Sequence, residues 1–507
     1  MKQYSLPTGL TRRRFIGSMG GVVIGAMIAD RLLADPYSPL PFEVMARRGV
    51  RVRGAVRARG RGLSGVVVSD GISAVRSEAD GTFALLTDSS RPFVFLCLPS
   101  GYEIPTGPAG TASLYKPLRP NQAGEMDAVW DLAPLPVPDR SHAFLLLADP
   151  QTLDTDDVRL FHTETVPDIR STLEELRRVP VFGVGCGDIM YDRLEHFPRY
   201  EEAVQRIGIP CFQVLGNHDV EVLAKTDEAS AATFMRYFGP TYYSFDRGEI
   251  HYVVMDDVFW FGDGYIGYID QQQLNWLEAD LAHLEGGRTV VLFMHIPSFS
   301  TQHIRNGKEK PERSVVVVNR ELLNRILEPY EAHLIAGHMH EIEHPVDQGV
   351  HLHVCGAVCG AWWTGPICGD GTPNGYGVFE VDGENITWRY KSTGMPIGEQ
   401  MRVYPRGSDP TVPDQLIANV WDADPRWKVL WYEDGERKGE MKKRRGLDPF
   451  SVKLHRGPAL PRKHPWVEPY STDHLFTAPA SRDARRIVVE ATDGEGRVYR
   501  GSPATGW

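Results

Sequence analysis

The stretch "PCFQVLGNHD", Pro210–Asp219, is a short apolar run that stops at a glycine and passes at once to an amide, an imidazole and a carboxylate. A run of this length between proline and glycine reads as a buried strand, with the polar residues at its carboxyl end. Working outward, the same form recurs. Strands are expected in "HAFLLLAD", "VPVFGVGCGD", "RTVVLFMHIP" and "AHLIAGHMH", helices in "DIRSTLEELRR", "FPRYEEAVQRIG" and "DQQQLNWLEADLAHL", and a hairpin in "YYSFDRGEIHYVVMDD". Strands alternating with amphipathic helices predict an α/β domain, here over residues 137–394, with helices packed on a sheet.

On either side the rhythm changes. Residues 35–136 carry short β-runs, "VRVRGAV", "SGVVVSDG", "GTFALLT" and "PFVFLCLPSGY", broken by Asp70-Gly71 and Asp80-Gly81, which predicts a small β-sandwich. The "GVVVSDG…DGTFAL" pattern resembles the transthyretin-like or carboxypeptidase-regulatory type. The prolines of "APLPVPD", Ala133–Asp139, favour extended chain and mark a boundary. Past residue 395, "QLIANVWDADP", "WKVLWYEDGE" and "RRIVVEATDGEGRVY" make residues 395–507 a second β-rich domain, with Trp421, Trp427 and Trp431 as core or edge aromatics. The run "KKRRG", Lys442–Gly446, reads as a solvated loop rather than an anion site.

With 507 residues, 42% hydrophobic and 24% charged, the composition is globular and the chain too long for one core. A formal net charge of −11 argues against a general nucleic-acid binder, so no nucleic-acid partner is expected. The N-terminal "TRRRFIG", Thr11–Gly17, followed by "SMGGVVIGAMIA", resembles a twin-arginine export signal, assigned to residues 1–34. Its apolar part, Phe15 to Ala29, is 15 residues, short of the roughly 20 a bilayer span needs, so a periplasmic or extracellular protein with no stable membrane span is expected. Removing that signal takes a net charge of +4 from −11 and leaves about −15. The six cysteines are too few for a disulfide scaffold; Cys186 and Cys211 read as core residues, while Cys355, Cys359 and Cys368 leave open one oxidised pair or free thiols.

Each core strand ends on residues of one chemical kind: Asp149 and Gln151 in "ADPQ", Asp188 in "GCGD", Asn217 and His218 in "GNHD", His295 in "MHIP", His338 and His340 in "GHMH". In an open α/β sheet, ligands bind outside the carboxyl ends of the strands, so these residues are expected to converge. All offer a lone pair when neutral or deprotonated, and the set suits two divalent cations with a carboxylate shared between them. Asp149 and Gln151, like His338 and His340, are two apart and in extended chain would share a face. Glycine before Asp188, Asn217 and His338 gives room for a sharp turn.

The ordered set D-x-[H/Q], GD, GNH[D/E], an isolated H and GHxH, from Asp149 to His340, resembles that of the calcineurin-like metallophosphoesterases, and the flanking β-domains are similar in layout to exported bacterial members. The resemblance implies an α/β/β/α sandwich core and two divalent ions, Mn, Fe, Zn or Mg. Asp149, Gln151 and His340 would hold the first, Asn217, His295 and His338 the second, and Asp188 would bridge them. It further implies His218 as an acid or charge stabiliser beside the phosphoryl group, with Asp219 or Asp192 orienting it. The implied activity is attack by a metal-bridged hydroxide on a phosphate monoester or diester of a small or surface-linked substrate. Many members have histidine where Gln151 stands; an amide oxygen is a harder, weaker donor and favours Mn, Mg or Fe over Zn at the first site.

Outside these blocks, His142, His251, His344, His351 and His353 read as surface or satisfied core histidines. Asp256 and Asp257 read as turn residues or as support behind the ligands. In "CGAWWTGP", Cys359–Pro366, Trp362 and Trp363 fit either an aromatic wall by the pocket or inter-domain packing. A reading from another class is a surface protein that binds glycans through its β-domains and carries a degenerate enzyme between them.

Overall fold

The structure is a computed structural model that describes residues 49–504, so the twin-arginine-like segment lies outside the described residues. The first half of the core comprises β1 (Ser141–Leu147), α1 (Val166–Leu176), β2 (Val181–Cys186), α2 (Phe197–Ile207) and β3 (Cys211–Val214). The chain continues through β4 (Tyr243–Arg247), β5 (Ile250–Val254), α3 (Gln271–Leu281), β6 (Thr289–Phe293), α4 (Arg320–Leu327), β7 (Glu331–Ala336) and β8 (Val350–Val354). It ends in the hairpin β9 (Gly375–Asp382) and β10 (Asn385–Ser392).

Two sheets result, one ordered β3-β2-β1-β9-β10 and the other β4-β5-β6-β7-β8, with a short edge strand Val346–Asp347. β1, β2 and β3 run parallel, as do β5 to β8, whereas β9 returns antiparallel along β1. The alternation within β1 shows why a continuous apolar run forms this strand. Phe144 and Leu146 face the space between the sheets, while Ala143, Leu145 and Leu147 face the helices, so both faces are buried.

Between the sheets the filling is largely aromatic, with ring centroids 5.4 Å apart for Phe144–Phe182 and Phe144–Phe293 and 3.9 Å for Phe212–Phe245. On α2, Tyr200, Ala203, Val204 and Ile207 follow the spacing of one helical face and bury it on the first sheet. Leu274, Leu277 and Leu281 of α3 and Leu323 and Leu327 of α4 cover the second. The layers are therefore α/β/β/α.

N-terminal to the core, two four-stranded sheets enclose a small β core; Gly49–Ala58 pairs with Thr82–Asp88 and with Glu125–Leu132. A bridge from Leu98 to Phe245 and a hydrogen bond from the Tyr242 hydroxyl to the Gly71 carbonyl (2.8 Å) join it to the core. Two further four-stranded sheets follow the core, with Trp427 and Trp431 packed at the side of their apolar cluster, whereas Trp421 is buried in the apolar cluster of the core. Here the reading of "KKRRG" as a loop is corrected. Lys442–Leu447 is an edge strand paired with Ser471–Ala478, and Arg444 and Arg445 reach Asp409 (2.7 Å) and Asp473 (2.9 Å). Charged side chains on an edge strand discourage pairing with other chains. All six cysteines are buried, free thiols. Among the described residues, no helix is long and apolar enough to cross a membrane.

Candidate metal centre

β1 and β2 deliver Asp149 and Asp188 two residues past their ends, β3 delivers Asn217, and β6 and β7 deliver His295 and His338. The backbone there turns sharply, with φ of +50° at Asp149, +40° at Gln151, +49° at Asp188, +69° at His338 and +51° at His340. The expectation that extended chain puts Asp149 with Gln151, and His338 with His340, on one face is therefore corrected: left-handed turns bring each pair inward. Such conformations cost side-chain-bearing residues about 1–3 kcal/mol each and cluster where function demands them. Gly216 has a different reason to be glycine, because a Cβ there would lie 1.8 Å from the Asp188 amide nitrogen.

Three imidazoles share one arrangement. In each, one ring nitrogen meets a backbone carbonyl: His295 Nδ1 that of Cys186 (3.0 Å), His338 Nε2 that of Ser314 (2.8 Å), and His340 Nδ1 that of Gly360. Tying one nitrogen fixes the ring and leaves the other as an inward lone pair, which is how proteins prepare histidine for a metal. The free nitrogens face the carboxylates and amides. His295 Nε2 is 3.2 Å from both Asp188 Oδ1 and Asn217 Oδ1, and His338 Nδ1 is 3.2 Å from His295 Nε2. His340 Nε2 is buried without a hydrogen-bond partner, 3.5 Å from Asp149 Oδ1.

Asp188 joins the two groups. Its Oδ1 faces His295, and its Oδ2 accepts a hydrogen bond from Gln151 Nε2 (2.6 Å). A cation beside Gln151 requires that amide turned over, so that Oε1 faces the ion. Candidate ligand atoms of Asp188, His295 and His338 lie within 4.8 Å of one another.

Burial opposes charging of His295, yet the Asp188 carboxylate outweighs it and pushes the imidazole up to about 10. Burial, helped by the positive charge of His295, lowers His338 to about 4. Burial likewise works against ionisation of Asp188, but His295 and His218 hold its carboxyl below the usual range. The pocket thus stabilises positive charge at its centre, in the place of which a divalent cation fits. The donors present suit two such ions: Asp149, Gln151 and His340 on one side, Asn217, His295 and His338 on the other, and Asp188 between.

His218 stands apart. Its side chain is 21% exposed, its Nδ1 meets Asp192 Oδ1 at 2.8 Å, and its Nε2 lies 4.0 Å from Asp188 Oδ2. Burial opposes its charging, but Asp188 and Asp192 raise its pKa above the ordinary value. Of the two carboxylates proposed to orient this ring, Asp192 does so. Asp219 instead accepts hydrogen bonds from the amides of Ile189 (3.1 Å), Met190 (2.9 Å) and Gly216 (3.0 Å), fastening the two ligand-bearing turns together.

Several residues act in ways that the sequence either missed or left open. Tyr191 stacks on His218 at 4.4 Å. Asp257, fully buried and pushed by burial up to about 7, accepts the His295 amide (3.2 Å), so it supports a ligand rather than making a turn. Cys359 places its sulfur 3.7 Å from His340 Nδ1. Trp362 stacks on His340 at 4.2 Å and meets Trp466 at 4.8 Å, which is packing between the core and the C-terminal region, while Trp363 donates to the Pro150 carbonyl (3.0 Å). His142, His251 and His353 are buried and hydrogen-bonded, His344 is partly buried and hydrogen-bonded, and His351 is exposed, in line with the reading of these five.

Layers and donors together define a class: an α/β/β/α sandwich that gathers two carboxylates, two amides and three imidazoles at one rim of its strands. Family models agree, matching the N-terminal region of calcineurin-like phosphoesterases over residues 50–133, the calcineurin-like phosphoesterase core over 143–341, and the C-terminal region over 352–499. The chain belongs to the calcineurin-like phosphoesterase family. Among its relatives, a serine/threonine-protein phosphatase CPPED1 from Bos taurus is 28% identical over 43% of this chain and 70% of that protein. The Homo sapiens CPPED1 is 26% identical over 49% and 83%. Of the solved structures, a dimetal phosphatase from Danio rerio has 15% identity and a TM-score of 0.34, covering 50% of this chain and 96% of that one.

Proposed function

We propose that this chain hydrolyses phosphate monoesters or diesters with two divalent cations held by Asp149, Gln151, Asp188, Asn217, His295, His338 and His340, and that it does so outside the cytoplasm. The observation that supports this reading is the set of three imidazoles tied through one nitrogen to backbone carbonyls, with their other nitrogens gathered around Asp149, Asp188 and Asn217. Two divalent ions bound there supply an activated water and neutralise charge on the phosphoryl oxygens. The chain's own residues do the rest. Asp188 holds the two donor groups in register. His218, partly open to solvent and kept protonated by Asp188 and Asp192, gives its Nε2 proton to the departing alkoxide. Tyr191 and Asp192 fix the plane of that ring.

The names of the CPPED1 relatives support phosphoester chemistry and make a phosphorylated side chain one substrate to test alongside small esters. The complete donor set argues against the degenerate, glycan-binding reading, since loss of catalysis leaves no pressure to keep three matched histidines. The Arg12–Arg13 pair and the apolar stretch after it support export by the twin-arginine route. Nitrophenyl phosphate and bis-nitrophenyl phosphate, assayed with Mn²⁺ and then with a chelator, test the chemistry. Metal-dependent turnover abolished by chelation is expected; turnover indifferent to chelation, or none with any divalent ion, overturns the proposal. Arg12→Lys with Arg13→Lys should retain the protein inside the cell, and unchanged export would remove the second part.

A further inference from the structure

The C-terminal region reaches into the rim of the metal centre. Lys463 forms ion pairs with Asp154 (2.9 Å) and Asp157 of the core, and the next residue, His464, adopts the left-handed φ of +50°. Val467 is buried against Ala361 and Trp362. A charged anchor on one side and an apolar one on the other hold this short turn in a conformation that a residue with a side chain does not adopt freely.

What the turn presents is aromatic. His464 lies 5.7 Å from Tyr191, which also stacks on His218, and 5.5 Å from Trp466. Trp466 meets Trp362, and Trp362 stacks on His340. The contacts run unbroken from His218, the proton donor of the proposed reaction, to His340, a candidate ligand on the far side of the centre. Only His464 and Trp466 in this arc come from outside the core. Packing accounts for Trp362, which is 8% exposed, but not for Trp466, which keeps 38% of its surface in solvent. An indole with that much open surface, in an arc of rings that ends at the metal centre, is a stacking platform, since every planar π-system finds favourable dispersion on it.

Resting on the proposed hydrolase reading, we infer that the C-terminal turn supplies a subsite for a planar aromatic group on the alcohol side of the phosphoester. The alcohol side is specified because the arc starts at His218, which must reach the leaving oxygen, and the group stacks on Trp466 while the phosphate occupies the metal centre. A nucleobase and a simple aryl ring share this chemistry.

The test uses the full chain with Mn²⁺ and two pairs of esters matched in leaving oxygen: adenosine 5′-phosphate against ribose 5-phosphate, and benzyl against cyclohexylmethyl phosphate. In the parent, kcat/KM should favour the planar member of at least one pair by about tenfold. Preference in the first pair alone identifies a base, and in the second alone an aryl ring. Trp466→Leu should bring the ratio to near one, and Trp466→Phe should keep most of it, which separates loss of the ring from loss of the fold. Ratios near one in the parent, or a preference that survives Trp466→Leu, overturn the inference while leaving the hydrolase reading standing. Hydrolysis of none of the four monoesters overturns the inference, and failure on nitrophenyl and bis-nitrophenyl phosphate as well refutes the hydrolase reading.

Discussion

Gly216→Ala adds one methyl group at the carboxyl end of β3, and the surroundings specify what that methyl meets. Its Cβ would sit 1.8 Å from the Asp188 amide nitrogen, 2.7 Å from Asp188 Cα and 2.4 Å from Oδ1, where contacts under 3.0 Å are essentially never seen. The two backbones must therefore part by about 1.2 Å, and neither is free to drift. Gly216 donates to Asp219, which also grips Ile189 and Met190, and the Asp188 carbonyl accepts the Gln151 amide at 2.9 Å. Metal–ligand distances tolerate only about 0.2 Å, so a shift of this size would take Asp188, the carboxylate proposed to serve both ions, out of reach of at least one of them. The fold pays an overpacking penalty of about 1–3 kcal/mol, which a domain this large survives. The assay is bound Mn²⁺ per chain by elemental analysis after dialysis, alongside turnover and thermal unfolding of the metal-free protein. Loss of an ion and of nearly all activity, with a modest fall in Tm, is expected. Two ions per chain with parental turnover would refute the close approach of these two turns.

Three other outcomes are expected. Asp188→Ala should lose both metal and activity, whereas His218→Ala should keep its metal and lose turnover by about 10²–10⁴-fold on esters with poor leaving groups; an empty site in His218→Ala would show that this ring is a ligand. Asp192→Asn keeps the contact to His218 Nδ1 but not its charge, so turnover of alkyl esters should fall about tenfold, discounted because Asp192 is 42% exposed, and unchanged turnover at all pH values would exclude it as the orienting group. His251, away from the centre, lies between Asp246 (2.7 Å) and Asp280 (3.0 Å); burial opposes its charging, but the carboxylates push it from 6.5 up to about 10. Because the folded value is raised, its contribution, on the order of a few kcal/mol, is complete below pH 6.5 and is lost as pH rises through about 10. Thermal unfolding across that window should fall more steeply for the parent than for Asp280→Asn, and equal slopes would count against the pairing.

The residues that hold the candidate centre were legible because their chemistry admits few substitutes and each follows an apolar strand in order. Asp149, Asp188, Asn217 and His295 needed only that strand to be located. Side chains that act by orientation left no such mark: nothing in the letters separates Asp192, which holds an imidazole, from Asp219, which holds three amides. Tyr191 and Asp257 are ordinary residues whose role depends on which ring or amide the fold brings near. The left-handed turns at Asp149 and Gln151 ran against a local preference for extended chain, and tertiary demands prevailed. "KKRRG" misled because charge density was read as solvation, although an edge strand needs only one partner.

The pairing of β9 with β1 gives the molecule a definite order of completion. β1 carries the first candidate ligands, yet its outer neighbour is made more than two hundred residues later, at Gly375–Asp382. A chain ending just after His340 would contain every donor of the centre and still leave the central strand an unpaired apolar edge, prone to association with other copies. Joining segments so distant in sequence is intrinsically slow. Synthesis must run well past the last ligand before the rim that gathers the ions has a finished sheet beneath it.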